Sequence, residues 1–376
     1  MRLLTVTHFY EGHGGGIERV AGHLNRHLAA FGHEISWAAG GGDAPPAPET
    51  AAPVPLRCIN LVERLTGLPM PIPSPAALGR LRRAVGECDA VIIHDALYAT
   101  SVAAMRAARR AGKPVLLVQH IAAIPFKSAL LRGAMKLANR LVTEPMLRAA
   151  DQIVFISATT AAHFAKVPLK RPALVAYNGV DTGIFRPARP GEKDAARRSF
   201  GFGDERPLAL YVGRFVEKKG MAVIRALAGR RPEIRFVLAG SGPIDPESWG
   251  LANVGVVRGL SGETLASLYR AADLFVLPSV GEGYPLVVQE ALASGLAVLC
   301  GAESAAADPA AAPLLDGLPV DLSAPAATAE AFARGLDEAL AAPADPRRAA
   351  LARERYSWES AARTYDEALK ALARRS

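Results

Sequence analysis

The chain has 376 residues, half of them hydrophobic, and a formal charge of +8. That length makes two domains the natural expectation, and the charge favours anionic partners such as nucleic acid, a membrane surface or a phosphorylated substrate. Aromatic residues make up only 6%, which argues against a single-strand nucleic-acid binder that needs stacking platforms.

Cys58, Cys88 and Cys300 are scattered without metal-type spacing and fit a reducing compartment with no disulfide framework. No apolar run approaches the ~18 residues of a membrane span, so the expected location is cytoplasmic. A first strand is predicted over residues 3–6. A loop containing Gly14, Gly15 and Gly16 leads from it into a helix over residues 17–31. Strand, glycine loop and helix make the phosphate-approach geometry of a doubly wound fold. The loop lacks the G-x-G-x-x-G fingerprint, and a plain flexible turn is the competing reading.

Further strands are predicted at residues 35–39, 90–93, 115–118, 153–156 and 173–176, with helices at 78–85 and 101–111. Proline-rich residues 43–55 and 68–75 read as extended loops. His94 and Asp95 follow one strand and Gln119 and His120 another, where parallel sheets bind ligands; capping or packing is an equally open role for either histidine. Residues 127–148 read as a basic amphipathic helix, with Lys127, Arg132, Lys136, Arg140 and Arg148 opposite an apolar face. It is either a solvated face with Arg140, Glu144 and Arg148 paired or a surface that docks on anionic lipid.

After a linker at 185–204 the alternation restarts. Strands are predicted at 208–212, 236–239, 254–257, 275–277 and 297–300. Helices are predicted at 221–230, at 261–272 with Ser261 as cap, and from Pro285 to about Gly295, proline being suited to a first turn. Residues 302–313 are alanine-rich and carry little information, 319–322 read as a last strand, and 357–374 as an amphipathic terminal helix. Two successive runs of βα units predict an α/β protein with two Rossmann-like, doubly wound domains and a cleft between them. The expected domains are residues 1–183 and 184–356, with 357–376 returning to the first.

Arg214 and Lys219 lie just past a predicted strand, before a helix whose N-terminal end is partly positive. Unless an acid pairs with them, an anion is expected there. A diphosphate fits, with Arg binding bidentately and Lys as a point charge. Glu282 lies in the loop before the helix at 285–295 and Glu290 inside that helix. Carboxylates accept hydrogen bonds only and repel a diphosphate, so both are expected to face hydroxyls. Glu290 sits among Leu286, Val287, Val288 and Leu292, where an inward-facing carboxylate needs a partner. A nucleotide sugar offers hydroxyls for the glutamates and a diphosphate for Arg214, Lys219 and the backbone N–H groups of residues 282–286.

These residues resemble retaining, metal-independent GT-B fold glycosyltransferases of the family 4 type. Glu282 and Glu290 match that family's E-x7-E motif, and Gly213, Arg214, Lys219 and Gly220 its GR…KG motif. AGSGP at 239–243 and YNGVD at 177–181 also match family patterns. The family's glycine-rich segment is replaced by alanine-rich 302–313, leaving only Asp316 and Gly317 of its turn.

The resemblance implies that Arg214 and Lys219 stabilise the departing nucleoside diphosphate and that Glu290 holds ribose hydroxyls. It implies that Glu282, with the amides of Gly283, Tyr284, Pro285 and Leu286 as a group, holds the donor sugar and distal phosphate. Gly240, Gly242 and Arg258 would border the base. His120 takes the place of the family's active-site histidine, and Gly14, Gly15 and Gly16 lie near acceptor and phosphate. The first domain would then bind acceptor and the second the donor.

The implied reaction is transfer of a sugar from a nucleotide-diphosphate sugar to a glycan or lipid-linked acceptor with retention, without metal or cofactor. It would serve cell-surface polysaccharide, lipopolysaccharide or glycolipid synthesis. The peripheral site would be the inner face of the cytoplasmic membrane, reached through residues 127–148. A nucleotide-sugar epimerase and a non-catalytic nucleotide-sugar binder are the alternatives. A nucleic-acid binder is disfavoured by the acidic pair.

Overall fold

The computed structural model describes residues 1–42, 44–59, 71–122, 129–203 and 205–374. Short apolar runs become strands and the amphipathic stretches between them become helices, in two units: Met1–Asn178 together with the segment from Trp358, and Gly179–Ser357.

In the first unit the strands are β1 (Arg2–Val6), β2 (Glu34–Gly40), β3 (Ala52–Leu56), the short pair β4 (Cys58–Ile59) and β5 (Ile72–Pro73), β6 (Ala90–His94), β7 (Val115–Gln119), β8 (Gln152–Phe155) and β9 (Leu174–Val175). Seven of them form one parallel sheet in the order β3-β2-β1-β6-β7-β8-β9. Successive strand residues face opposite sides. Leu4, Val6, Val91, Ile93 and Leu117 pack with Leu81, Val85, Met105 and Leu147 on one side. Leu3, Ile92, Leu116 and Val118 pack with Leu24, Leu28, Tyr365, Leu369 and Leu372 on the other. The terminal helix Trp358–Ala373 thus completes the core of the first unit, beside the helix Gly16–Ala30.

The second unit holds β10 (Leu208–Val212), β11 (Arg235–Ala239), β12 (Val254–Val257), β13 (Leu274–Leu277), β14 (Ala297–Gly301) and β15 (Asp316–Leu318). They form a parallel sheet in the order β12-β11-β10-β13-β14-β15.

Several elements depart from the sequence expectation. The proline-rich loop at 43–55 supplies β3, which contains Pro53 and Pro55. Proline is tolerated there because β3 is the sheet edge, where an absent N–H leaves no neighbour unsatisfied. Part of the second proline-rich loop forms β5, which pairs antiparallel with β4. The predicted helix at 127–148 is Ala129–Ala138 followed by a wider turn, Asn139–Thr143, and then Glu144–Ala149. Pro145 explains the widening, since its ring removes one backbone donor and crowds the preceding turn. Lys127 and the side chain of Arg132 lie outside the described residues. The last strand is Asp316–Leu318, before the expected 319–322, and Ser261 makes no side-chain cap bond.

Candidate active site

In the second unit the strand order reverses between β10 and β13, and loops past the carboxyl ends of strands at such a point form a ligand crevice. Three close approaches bring those loops together. A Cβ on Gly220 would fall 2.1 Å from the Pro278 carbonyl oxygen, one on Gly240 1.9 Å from that of Gly213, and one on Gly301 2.5 Å from that of Ser279. The backbone then stitches them: Val280 N donates to Lys218 O at 3.0 Å, and Phe215 N to Ser241 O at 2.8 Å.

This packing carries Lys219 to Glu282. Lys219 Nζ lies 3.1 Å from Glu282 Oε2, with both side chains about 15% exposed. The more exposed Lys218 Nζ lies 3.6 Å from Oε1. Burial pushes the Glu282 carboxyl up, but the two lysines outweigh it and hold it below its ordinary value. The acid that the sequence reading left as an open condition for the Arg214–Lys219 loop is therefore Glu282. The guanidinium of Arg214 is exposed and makes no ion pair among the described residues, while its carbonyl accepts the Tyr211 hydroxyl at 3.0 Å.

The helix after this loop is Leu286–Ala293, with Pro285 as its N-cap. Glu290 lies on it and accepts the hydroxyl of Tyr269 at 2.8 Å. Tyr269 is fully buried; burial raises its phenol well above the usual range, and the Glu290 charge raises it further. The inward carboxylate thus has a buried donor, and Tyr269 was not singled out in the sequence.

The Tyr284 side chain is buried and turned to the Tyr356 hydroxyl at 3.0 Å. Of Gly283, Tyr284, Pro285 and Leu286, then, backbone rather than the phenol is left to face a ligand. Gly240 and Gly242 lie against the Gly213–Phe215 backbone, where a side chain would clash. Arg258 is exposed and paired with Glu247 at 2.8 Å and Asp245 at 3.4 Å.

In the first unit the order reverses between β1 and β6, and the polar residues gather past β1, β6 and β7. Gly14 has φ 80°, closing the turn before the helix Gly16–Ala30. The Glu18 carboxylate lies over Gly15, where a Cβ would sit 2.1 Å from Oε2 and displace it. Gly16 opens the helix and is exposed.

Glu18 is 2% exposed and lies 2.8 Å from His8 Nε2. Burial raises its carboxyl, yet His8 brings it below the ordinary value. The His8 ring stacks on Tyr98 with centroids 3.8 Å apart. His120 Nε2 is 3.0 Å from His94 Nδ1. Burial, with His8 adding to it, lowers His120 to about 3, and burial with His120 lowers His94 well below its usual value, so both rings are neutral.

Asp95, fully buried, is raised by burial to about 6. It is the one non-glycine residue with positive φ among the described residues, at 64°, a conformation aspartate tolerates better than most. Its Oδ1 accepts from Gln119 Nε2 at 3.1 Å, while its buried Oδ2 has no hydrogen-bond partner among the described residues. The histidines at the strand ends, His94 and His120, are legible in the sequence. His8 and Glu18 are not legible there, because their meeting depends on a helix residue folding back over Gly15.

Among the described residues no group of three or more His, Cys, Asp and Glu side chains is placed to hold a metal ion, and no helix is long and apolar enough to cross a membrane.

Two Rossmann-like units in one chain, each with polar loops at its switch point, define the GT-B class. The fold is shared with sucrose-phosphate synthase from Thermosynechococcus elongatus, at TM-score 0.74 and 18% identity over the full length of both chains. It is shared too with HepE from Anabaena in complex with UDP-glucose, at TM-score 0.69 and 18% identity over 99% of this chain and 100% of that one. In sequence, the model of Glycosyltransferase Family 4 matches residues 14–183, and that of Glycosyl transferases group 1 matches residues 192–358. The chain belongs to the family 4, group 1 glycosyltransferases. Alpha-maltose-1-phosphate synthase of Mycolicibacterium smegmatis is 29% identical over 56% of this chain, a match that spans 59% of that protein's length.

Proposed function

We propose that this protein is a retaining glycosyltransferase that moves a sugar from a nucleotide-diphosphate sugar to a glycan or lipid-linked acceptor, without a metal ion. The observation that carries this reading is the contact between Lys219 and Glu282 beside the N-terminus of the helix Leu286–Ala293. A cation, a carboxylate and a helix N-terminus side by side match a ligand whose diphosphate and hydroxyls are adjacent.

In the proposed reaction the bond between the anomeric carbon and the diphosphate oxygen breaks. Arg214, Lys219 and the backbone N–H groups of Gly283, Tyr284 and Leu286 take up the charge that develops on that oxygen; Pro285 has no N–H to offer. The acceptor oxygen attacks from the same face and forms the new bond, and its proton passes to the leaving phosphate. Glu282 holds hydroxyls of the sugar and Glu290, oriented by Tyr269, those of the ribose. The first unit binds the acceptor near Gly14, Gly15, Gly16 and His120. His120 acts there as a neutral hydrogen-bonding group, consistent with its lowered pKa.

Peripheral docking on an anionic bilayer is part of the proposal. Leu137 and Leu141 are 56% and 64% exposed beside exposed Lys136 and Arg140, an arrangement suited to an interfacial surface. Synthesis of a cell-surface polysaccharide or glycolipid is the role that fits such an acceptor.

The test is a thermal-shift screen of nucleotide sugars, led by UDP-glucose, followed by transfer to lipid and glycan acceptors with the product anomer read by NMR. A ligand that binds only the native state raises its melting temperature. If no nucleotide sugar shifts the transition, the reading fails; an inverted product would remove retention from it.

A further inference from the structure

Asp308 has no part in the proposed reaction, yet it is fully buried, and it comes from the alanine-rich segment that carried little information in the sequence. Its carboxylate accepts Arg355 Nε at 3.0 Å and Arg355 Nη2 at 3.1 Å, Ala310 N at 3.0 Å, and the Tyr356 hydroxyl at 2.7 Å. A carboxylate only accepts, so Tyr356 spends its one proton there. The Tyr356 oxygen then has lone pairs alone for the Tyr284 hydroxyl, 3.0 Å away. The proton order is thereby set: Tyr284 donates to Tyr356, and Tyr356 to Asp308.

The two ends of this relay stand in different places. Tyr284 belongs to the loop between β13 and the helix Leu286–Ala293, two residues after Glu282 and flanked by the amides assigned to the donor. Tyr356 stands where the chain leaves the second unit. Its carbonyl accepts Val180 N at 2.5 Å, and Val180 pairs with Ser357 in a parallel bridge. The outgoing and returning segments of the chain are thus joined at the residue that holds Tyr284.

We infer that Tyr356, locked by Asp308 and Arg355, is a positioning residue for the donor loop. Through Tyr284 it keeps the backbone N–H groups of Gly283 and Leu286 and the Glu282 carboxylate in place, and it anchors that loop to the paired connecting segments. The inference rests on the donor reading above. A phenol in simple apolar packing needs no ordered chain of donors ending on a buried carboxylate; buried polar networks of this kind specify one geometry when every member is satisfied.

Calorimetric titration with UDP, GDP, ADP and dTDP tests it, on the wild type, Tyr356→Phe, Tyr284→Phe and the double variant. The wild type is expected to bind at least one of the four. Each single change should weaken that nucleotide by about fivefold, the scale of one hydrogen bond. The double variant should be no weaker than the stronger-acting single, because both changes break one relay. Unchanged affinity in Tyr356→Phe overturns the inference while leaving the donor reading intact. So does a double variant whose loss is the product of the two single losses. A wild type that binds none of the four overturns the donor reading and the inference with it.

Discussion

Lys219 Nζ and Glu282 Oε2 stand 3.1 Å apart, although one residue follows β10 and the other follows β13. The contact exists because β10 and β13 are sheet neighbours and because glycine at position 220 lets the two loops touch. It places a cation and a carboxylate as adjacent handles, one suited to phosphate and one to hydroxyl.

Replacing Lys219 with alanine is expected to lower transfer by ~10²–10³ while the circular dichroism spectrum stays that of the wild type. Lys218→Ala should cost much less, because its ammonium is more exposed and farther from Glu282. Near-normal turnover in Lys219→Ala would remove it from the site.

Glu290→Ala is expected to abolish nearly all transfer, with the main loss in donor affinity. Tyr269→Phe keeps the carboxylate but removes its donor, and should weaken donor binding by about fivefold. Equal donor affinity in wild type and Tyr269→Phe would show that the tyrosine does not orient Glu290.

Asp95 supplies a pH test. Its folded pKa of about 6 lies above the ordinary value of 3.8. The folded state therefore binds its proton more tightly than the unfolded state, and the stability this contributes is present at low pH and lost as pH rises through 6. Asp95→Asn keeps an oxygen for Gln119 and Leu97 and tolerates the positive φ. It is expected to be more stable than the wild type at pH 7.5, by up to about 3 kcal/mol. That advantage should shrink towards pH 4, as read from denaturant unfolding at the two pH values. An advantage that is constant with pH would show that the Asp95 carboxyl does not titrate in this window. His94 and His120, held neutral by burial, act in the opposite sense and favour the folded state as pH rises.

The docking surface predicts that Lys136→Glu with Arg140→Glu reduces co-sedimentation with vesicles containing anionic lipid by at least about tenfold, each cation contributing roughly 1 kcal/mol near such a surface. Wild-type binding by the double variant would end the membrane reading.

The alternation of strands and helices was legible along the chain because periods of 2 and 3.6 residues are local properties. β10, β12 and the helix Met221–Arg230 fall on their predicted residues. Arg214, Lys219 and Glu282 stood out for the same reason, each lying past a strand end or before a helix start marked by its neighbours, and Glu290 stood out as a carboxylate among the apolar residues of one helix. The strand at Ala52–Leu56 was hidden because proline reads as a loop until the sheet order makes the position an edge.

What the sequence determined by itself was the succession of βα units and the residue types at their ends, since backbone period and turn chemistry need only nearby residues. Tertiary structure alone decided that Lys219 neutralises Glu282, that Tyr269 serves Glu290, that His8 meets Glu18, and that Asp308 anchors Tyr356 and Tyr284. Each of these pairs joins residues from separate elements. A charge or hydroxyl acquires its partner only when packing removes water and leaves one near neighbour to satisfy it.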